Sequence, residues 1–256
     1  MEHSALRNRR PTLQKTRIVR RGNNRRMAPP PLKIISSMAT RQLLADLAAD
    51  YARVSPQALD IESVGGVDAA RRVQAGEAFD AVVLAANAID ALEAAGRTVA
   101  GTRTDLVRSG VYVAVKAGAP APDIGTEDAV RQAVRGAKSL AYSTGPSGVY
   151  LTKLFERWGI ADEIRPRIVQ APPGVPVGSL IARGEVELGF QQLSELMALQ
   201  GVTVVGPLPP AIQLMTVFSG AVAATSAQPD AVRAWLAWMA TPAATETKRR
   251  NGMDAA

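Results

Sequence analysis

The chain contains no cysteine and only one histidine, His3, in 256 residues. Without thiols there are no disulfides, no thiolate metal sites and no cysteine nucleophiles, although this says nothing about compartment. With its one histidine near the N-terminus, the body of the chain has neither a Ser-His-Asp triad nor a histidine-rich metal site. Most hydrolase chemistries are thereby removed, and no metal site is expected. No apolar run is long enough to cross a bilayer, so membrane insertion is not expected. The pair Gly65 and Gly66 lacks the third glycine and the acidic residue of a dinucleotide fingerprint. No cofactor is expected.

The composition that remains, 47% hydrophobic, is that of a soluble globular chain with enough core for one large domain or two smaller lobes. Its formal charge of +7 is unevenly spread. Met1 to Arg26 holds nine of the 30 Lys and Arg and one of the 23 Asp and Glu, leaving a nearly neutral body. The opening "RNRRPTLQKTRIVRRGNNRR" has no apolar period, and residues 1–31 read most simply as a disordered basic tail. Tails of this kind also bind nucleic acid or anionic lipid; no nucleic acid is expected on the folded body. The twin arginines Arg20 and Arg21 are not followed by the apolar stretch of an export signal, so the sequence as it stands reads without a signal peptide.

After "APPPLK" strands and helices alternate. "LKIISS" precedes "TRQLLADLAADYA", whose Leu43, Leu44, Leu47 and Tyr51 recur at helical spacing. "LDIESV" precedes a helix opening near Gly66, "FDAVVLA" precedes "AIDALEAAG", and "GVYVAVKAG" precedes "TEDAVRQAVRG", for which Thr126 is the expected N-cap. "SLAYS" then leads through "TGPSG" into a helix bearing Leu151, Leu154, Phe155 and Trp158. Farther on, "EVELGFQQ" and "VTVVGPLPP" read as strands and "SELM" as a short helix. The apolar stretch Ile212 to Ala224 exceeds an ordinary strand and is a candidate crossing between two lobes. Val232, Trp235, Leu236 and Met239 mark a C-terminal helix, with another after Pro242. The rhythm predicts an α/β fold with mainly parallel strands.

Ligands of open α/β sheets lie beyond the carboxyl ends of the strands. Four such corners are rich in small or polar groups: Ser36 and Ser37; Gly65 and Gly66; Ser143, Thr144, Ser147 and Gly148; and "PPGVPVGS", Pro172 to Ser179. Each opens a helix whose first N–H groups have no partner within that helix, and such a start attracts an anion. Any one of these is commonly just a turn; four together point to a small-anion site. For proton-transfer chemistry near such a cleft the candidates are Tyr150, Lys153 and Glu195. Each has a structural reading too: Tyr150 packing on the loop, Lys153 on a solvated helix face, Glu195 capping a short helix. Asp80 reads as a structural tie and Trp235 and Trp238 as core. Met38 and Met215 are candidates for the cleft wall, although methionine usually fills gaps.

"GPSGVYLTKLFERWG", "GGVDAARRVQAGEAFDAVVLA" and "ATPAATETKRRNGMD" together resemble segments of the periplasmic molybdate-binding proteins, oxyanion-binding components of ABC transporters, over about Leu32 to Asp254. The resemblance implies a two-lobed, type II periplasmic-binding-protein fold that closes by hinge motion. It implies lobes of residues 32–109 with 211–256 and of residues 110–210, a periplasmic location, an ABC permease as partner and a monomer. By position, Ser37 or Ser36 matches the family's first-lobe serine, while Ser147 and Val177 match backbone donors. The family's second serine falls at Gly66 or Val67 and its site tyrosine at Gln192, a departure that counts against molybdate. An amide at Gln191 or Gln192 both donates and accepts, which suits carboxylates. "GFQQLSEL" also resembles a branch of the superfamily that includes aconitate isomerase. The leading expectation is a solute-binding protein for a small oxyanion or polycarboxylate. The alternative is an isomerase shifting an allylic proton in a tricarboxylic acid, and a third is a cytoplasmic sensor using the same cleft.

Overall fold

The computed structural model describes residues 29–172 and 174–256. The basic segment therefore lies, through residue 28, outside the described residues. Two sheets organise the chain. The first contains β1 (Leu32–Ser37), β2 (Leu59–Val64), β3 (Ala81–Ala85), β4 (Thr104–Ser109), β10 (Thr216–Val222) and β11 (Asp254–Ala255), in the order β11-β4-β10-β3-β1-β2. The second contains β5 (Val111–Lys116), β6 (Leu140–Tyr142), β7 (Ile168–Gln170), β8 (Leu188–Gln192) and β9 (Val202–Pro207), in the order β7-β6-β8-β5-β9.

Helices cover both faces of each sheet, which is why the central strands read as continuous apolar runs. In β3, Ala81, Val83 and Ala85 pack towards α1 (Arg41–Tyr51) and α9 (Pro229–Met239), where Leu43, Leu44, Leu47, Trp235 and Met239 are buried. Val82 and Leu84 point the other way, towards α2 (Gly66–Gln74) and α3 (Ala86–Ala94). This is the two-residue period of a strand buried on both sides. In the second sheet α4 (Glu127–Gly136) and α5 (Pro146–Arg157) cover one face, with α6 (Ala161–Ile164) at its margin; α7 (Val177–Arg183) and α8 (Leu193–Leu196) cover the other. At the C-terminus α10 (Thr245–Arg250) is tied back to α1 by Thr247 Oγ1, which donates to Asp50 Oδ2 at 2.6 Å.

Local signals act as their chemistry dictates. Thr126 Oγ1 accepts from Ala129 N at 3.1 Å and caps α4. Asp80 is a structural tie: its carboxylate accepts from Lys33 N at 3.0 Å and from Ser226 Oγ at 2.8 Å. Trp235 lies in the core, and Trp238 packs on Tyr51 with ring centroids 5.0 Å apart.

The α/β class is as expected, but the strands are mixed rather than mainly parallel. Among the described residues four strand pairings are parallel and five antiparallel. Every antiparallel pairing involves β4, β5 or β10. At the two passages between the sheets β4 runs into β5 and β9 into β10 with no α-helix in between, so the helical crossover that makes successive strands parallel is missing there. The apolar stretch Ile212 to Ala224 is accordingly divided: a 3-10 turn at Pro210–Ile212, an extended passage, then β10.

The two passages are stitched together. Only Gly110 separates β4 from β5, and the side chain of Gln213 in the return passage accepts from Val111 N at 2.8 Å and donates to Val111 O at 3.1 Å. Close approach also sets the start of α5. A Cβ at Gly148 would overlap the carbonyl oxygen of Ser143, whereas one at Gly145 would only touch Ser143 Oγ at 3.4 Å. Gly148→Ala is expected to cost about 1–3 kcal/mol through overpacking, seen as a lower midpoint in urea denaturation, with Gly145→Ala near wild type. Equal stability of Gly148→Ala and wild type would contradict this seating of the helix.

Candidate functional site

Between the two sheets lies a cleft of about 730 Å³, a size typical of small-molecule sites. It is built where strands end and helices begin. The first sheet contributes Ser37 and Met38 after β1, Gly65 to Val67 after β2, and Ala85 to Ala88 after β3. From the second come Ser143 to Ser147 after β6, Pro172 and Gly174 to Pro176 ahead of α7, Gln192 at the end of β8, and Glu195 in α8. The return passage, Leu214 to Phe218, closes one side.

The serine at the end of β1 is unusual. Ser37 is 6% exposed, lines the cleft, and its hydroxyl has no partner. An unmade hydrogen bond at a buried hydroxyl costs about 1–3 kcal/mol. Across from it, α5 starts with Pro146 at its first position, which pre-sets the helix and leaves the N–H groups of the first turn directed outward. Gly65 precedes α2 with no side-chain cap on that helix, so its first donors are likewise free of side-chain competition. Gly66 stands next to Ser37: a Cβ there would come 3.6 Å from Ser37 Cβ, an ordinary van der Waals contact.

Two charged side chains, Lys153 and Glu195, are found among the described residues that line the cleft. Lys153 is exposed on α5. Glu195, in α8, is partly buried, and its Oε1 accepts from Gln191 Nε2 at 2.8 Å. Burial without a cation raises its pKa from 4.5 to about 7, opposed by the Gln191 hydrogen bond, which favours the charged form. Tyr150 lines the cleft, and its hydroxyl donates to Ile212 O at 2.7 Å. Burial pushes the phenol above its ordinary value. The proton thus stays on, and the ring acts as a strut between α5 and the return passage.

Of the residues singled out in the sequence, Ser37, Gly65, Gly66, Ser143, Thr144, Ser147, Gln192, Tyr150, Lys153 and Glu195 meet at this one cleft, and Met38 and Met215 are on its wall as well. Four others stand behind the wall. Ser36 Oγ lies 2.7 Å from Ser63 Oγ on the neighbouring strand, because adjacent strand residues face opposite sides. Gly148 is pressed against the Ser143 carbonyl. The Val177 N–H is already consumed, donating to Gln191 Oε1 at 2.8 Å, and Gln191 is 1% exposed with its amide nitrogen on Glu195. Gln192 faces the cleft in part, yet its amide is anchored: oriented to satisfy its surroundings, the nitrogen donates to Gly110 O at 2.9 Å and the oxygen accepts from Thr216 Oγ1 at 3.2 Å. Sequence reasoning missed the corner from Ala85 to Ala88, which includes Asn87. It follows a strand as the others do, but alanines carry none of the glycine and serine signal used to find them.

The sequence model of the bacterial extracellular solute-binding proteins matches residues 32–254. An aconitate isomerase from Pseudomonas sp is 37% identical over 228 residues, covering 87% of each chain. Among solved structures, the periplasmic molybdate-binding protein of Azotobacter vinelandii is similar with a TM-score of 0.72 at 22% identity, over 87% of this chain and 98% of that one. The sulfate-binding protein of Mycobacterium tuberculosis is similar with a TM-score of 0.71 at 16% identity, over 88% of this chain and 86% of that one. These two likenesses speak to the two-lobed fold, whereas the match along almost the whole described chain speaks to descent. The chain belongs to the bacterial extracellular solute-binding protein family.

Proposed function

We propose that the cleft binds a tricarboxylic acid of the aconitate type and moves an allylic proton within it. The observation that carries this reading is Glu195, a partly buried carboxyl on the cleft wall held at Oε1 by Gln191 Nε2 at 2.8 Å and paired with no cation among the described residues; burial raises its pKa to about 7. A general acid/base works best when its pKa lies near the working pH, since one group then both takes and returns the proton. The resemblance at 37% identity to an aconitate isomerase supports the same assignment.

Ionised Glu195 removes a proton from the methylene carbon next to a substrate carboxylate. The C–H electron pair becomes the new double bond, the old double bond shifts, and the proton is returned at the far carbon. Nothing is oxidised or reduced, and no cofactor enters. The Ser37 hydroxyl and the first N–H groups of α2 and α5 hold the carboxylates, each charged hydrogen bond contributing about 1.5–3 kcal/mol, with Lys153 as the side-chain cation among the described lining residues. Tyr150 positions; it does not act as a base. Residues 32–109 with 211–256 and residues 110–210 are proposed to close on the substrate about the passages stitched by Gln213.

A second reading, an anion-binding protein that serves an ABC permease from the periplasm, rests on the unpaired Ser37 hydroxyl, which a fully deprotonated oxyanion would satisfy as well. Thermal shift separates the ligands, because a specific one at a hundred times its Kd adds about 2.7 kcal/mol. Stabilisation by cis- or trans-aconitate and not by molybdate or sulfate is expected.

Interconversion of the aconitates, followed by absorbance, is expected for the wild type, and Glu195→Gln should reduce kcat by about 10²-fold or more while leaving binding measurable. An unchanged rate in that variant would remove Glu195 from the chemistry. The kcat/KM is expected to rise with pH through about 7, as the free carboxyl ionises. Stability should run the other way. The folded state holds the Glu195 proton more tightly than the unfolded chain, so this group's contribution is full below about 4.5 and is lost as pH rises through about 7. Glu195→Gln should remove that dependence.

Ser37→Ala separates a ligand-holding hydroxyl from a structural one. It should leave the stability of the free protein unchanged or slightly raised, because it removes an unsatisfied buried group, and weaken ligand binding by roughly 10-fold or more. Calorimetry showing full affinity would place the ligand elsewhere.

A further inference from the structure

Gln191 is buried in β8 behind the cleft wall, and its side-chain amide has one orientation. Its Oε1 accepts from Val177 N at 2.8 Å, and a backbone N–H can only donate, so the oxygen end is fixed. The nitrogen end must then face Glu195, where Nε2 donates to Oε1 at 2.8 Å. Because an amide NH₂ can only donate, Oε1 of Glu195 is an acceptor in either protonation state. Among the described residues Oε2 has no hydrogen-bond partner.

We propose that Gln191 is a positioning residue, which, held at its far end by the Val177 N–H, clamps Oε1 of Glu195 and so leaves Oε2 as the oxygen that exchanges a proton with the substrate. This rests on the reading of Glu195 as the acid/base group. It gives the carboxyl two unlike oxygens: one anchored, one working. The proton taken from the substrate methylene is held on Oε2 and returned from Oε2, so the two ends of the allylic system are served by one atom from one face.

The clamp also governs when Glu195 ionises, since the donated hydrogen bond favours the carboxylate against the cost of burial. Burial and this hydrogen bond are the two causes that act on it; Gly252, in the turn after α10, packs on Leu193 and Met197, and Lys248 of α10 is occupied in donating to Leu106 O at 2.8 Å. Lys153 of α5 is the other charged residue on the cleft wall; β8 and the turn Met38–Thr40 contribute none. On α7, Arg183 is paired with Glu185. Lys116 of β5 lies near Gly184, at the far end of α7.

The test is an NMR titration of the full chain, free of ligand, following the Glu195 carboxyl carbon, with Glu195→Gln to assign the signal. In the wild type the Gln191 side-chain N–H signals should move with the same midpoint as Glu195, near 7; signals indifferent to that titration would overturn the clamp without any substitution. In Gln191→Met, which fills the space but cannot donate, the Glu195 midpoint should rise by on the order of one unit. With aconitate, the kcat/KM profile of that variant should move to higher pH by the same amount and recover at high pH, whereas a loss that is uniform across pH would mark a merely structural role. The titration arm stands apart from the assay: if the wild type does not isomerise aconitate but the two signals titrate together, the proposed reaction fails and the clamp survives.

Discussion

Everything that passes between the two sheets goes through two adjacent lengths of chain, and one side-chain amide holds them in register. Gln213 reads the backbone of Val111 as a neighbouring strand would, accepting from its N–H and donating to its carbonyl. Beside it, Gly110 leaves no room for a side chain: a Cβ would come 2.9 Å from Gln213 Nε2. The passages are thus short, paired and close-packed, and the positions of the strand ends relative to one another follow from them. Gln192 adds to the same junction by donating to Gly110 O, and Tyr150 reaches it through Ile212 O. The cleft wall and the junction therefore share residues.

With the junction fixed, the cleft has a simple electrostatic design. Donors from the starts of helices are supplied on both sides, and the side chains among them are small. A partly buried carboxyl is then placed on the cleft wall, where no arginine is found among the described lining residues. Burial raises the pKa of this group to about 7, and the amide hydrogen bond from Gln191 opposes burial without cancelling it.

Much of this was legible in the sequence. The strand-to-helix rhythm marked the elements, and the rule that ligands gather beyond strand ends picked out Ser37, Gly66 and Ser147, because four glycine-, serine- or proline-rich corners recur after strands although any one of them is commonly just a turn. The parallel character of the sheets was over-read, since periodicity reports burial and not strand direction, and β10 is buried as fully as the parallel β1. The roles of Ser36, Val177, Gln191 and Gln192 were not legible for a related reason. Whether a polar group faces a cavity or a partner one layer back depends on which residue of a strand points which way and on what lies behind it. The corner at Ala85 to Ala88 gave no composition signal at all.

In the proposed reading the acidic guest is held mostly by main-chain N–H groups, and this has a consequence for how such a site can change over generations. A side-chain donor is lost with a single codon change, whereas an amide hydrogen persists under any replacement except proline. The capacity to hold acidic groups is therefore inherited with the path of the chain, and variation is free to act on the lining: on Met38, Val67, Asn87 and Met215, which set what shape fits between the donors. A scaffold of this kind can pass from one acidic guest to another, and from holding to converting it, by repainting its walls while its framework stays as it was.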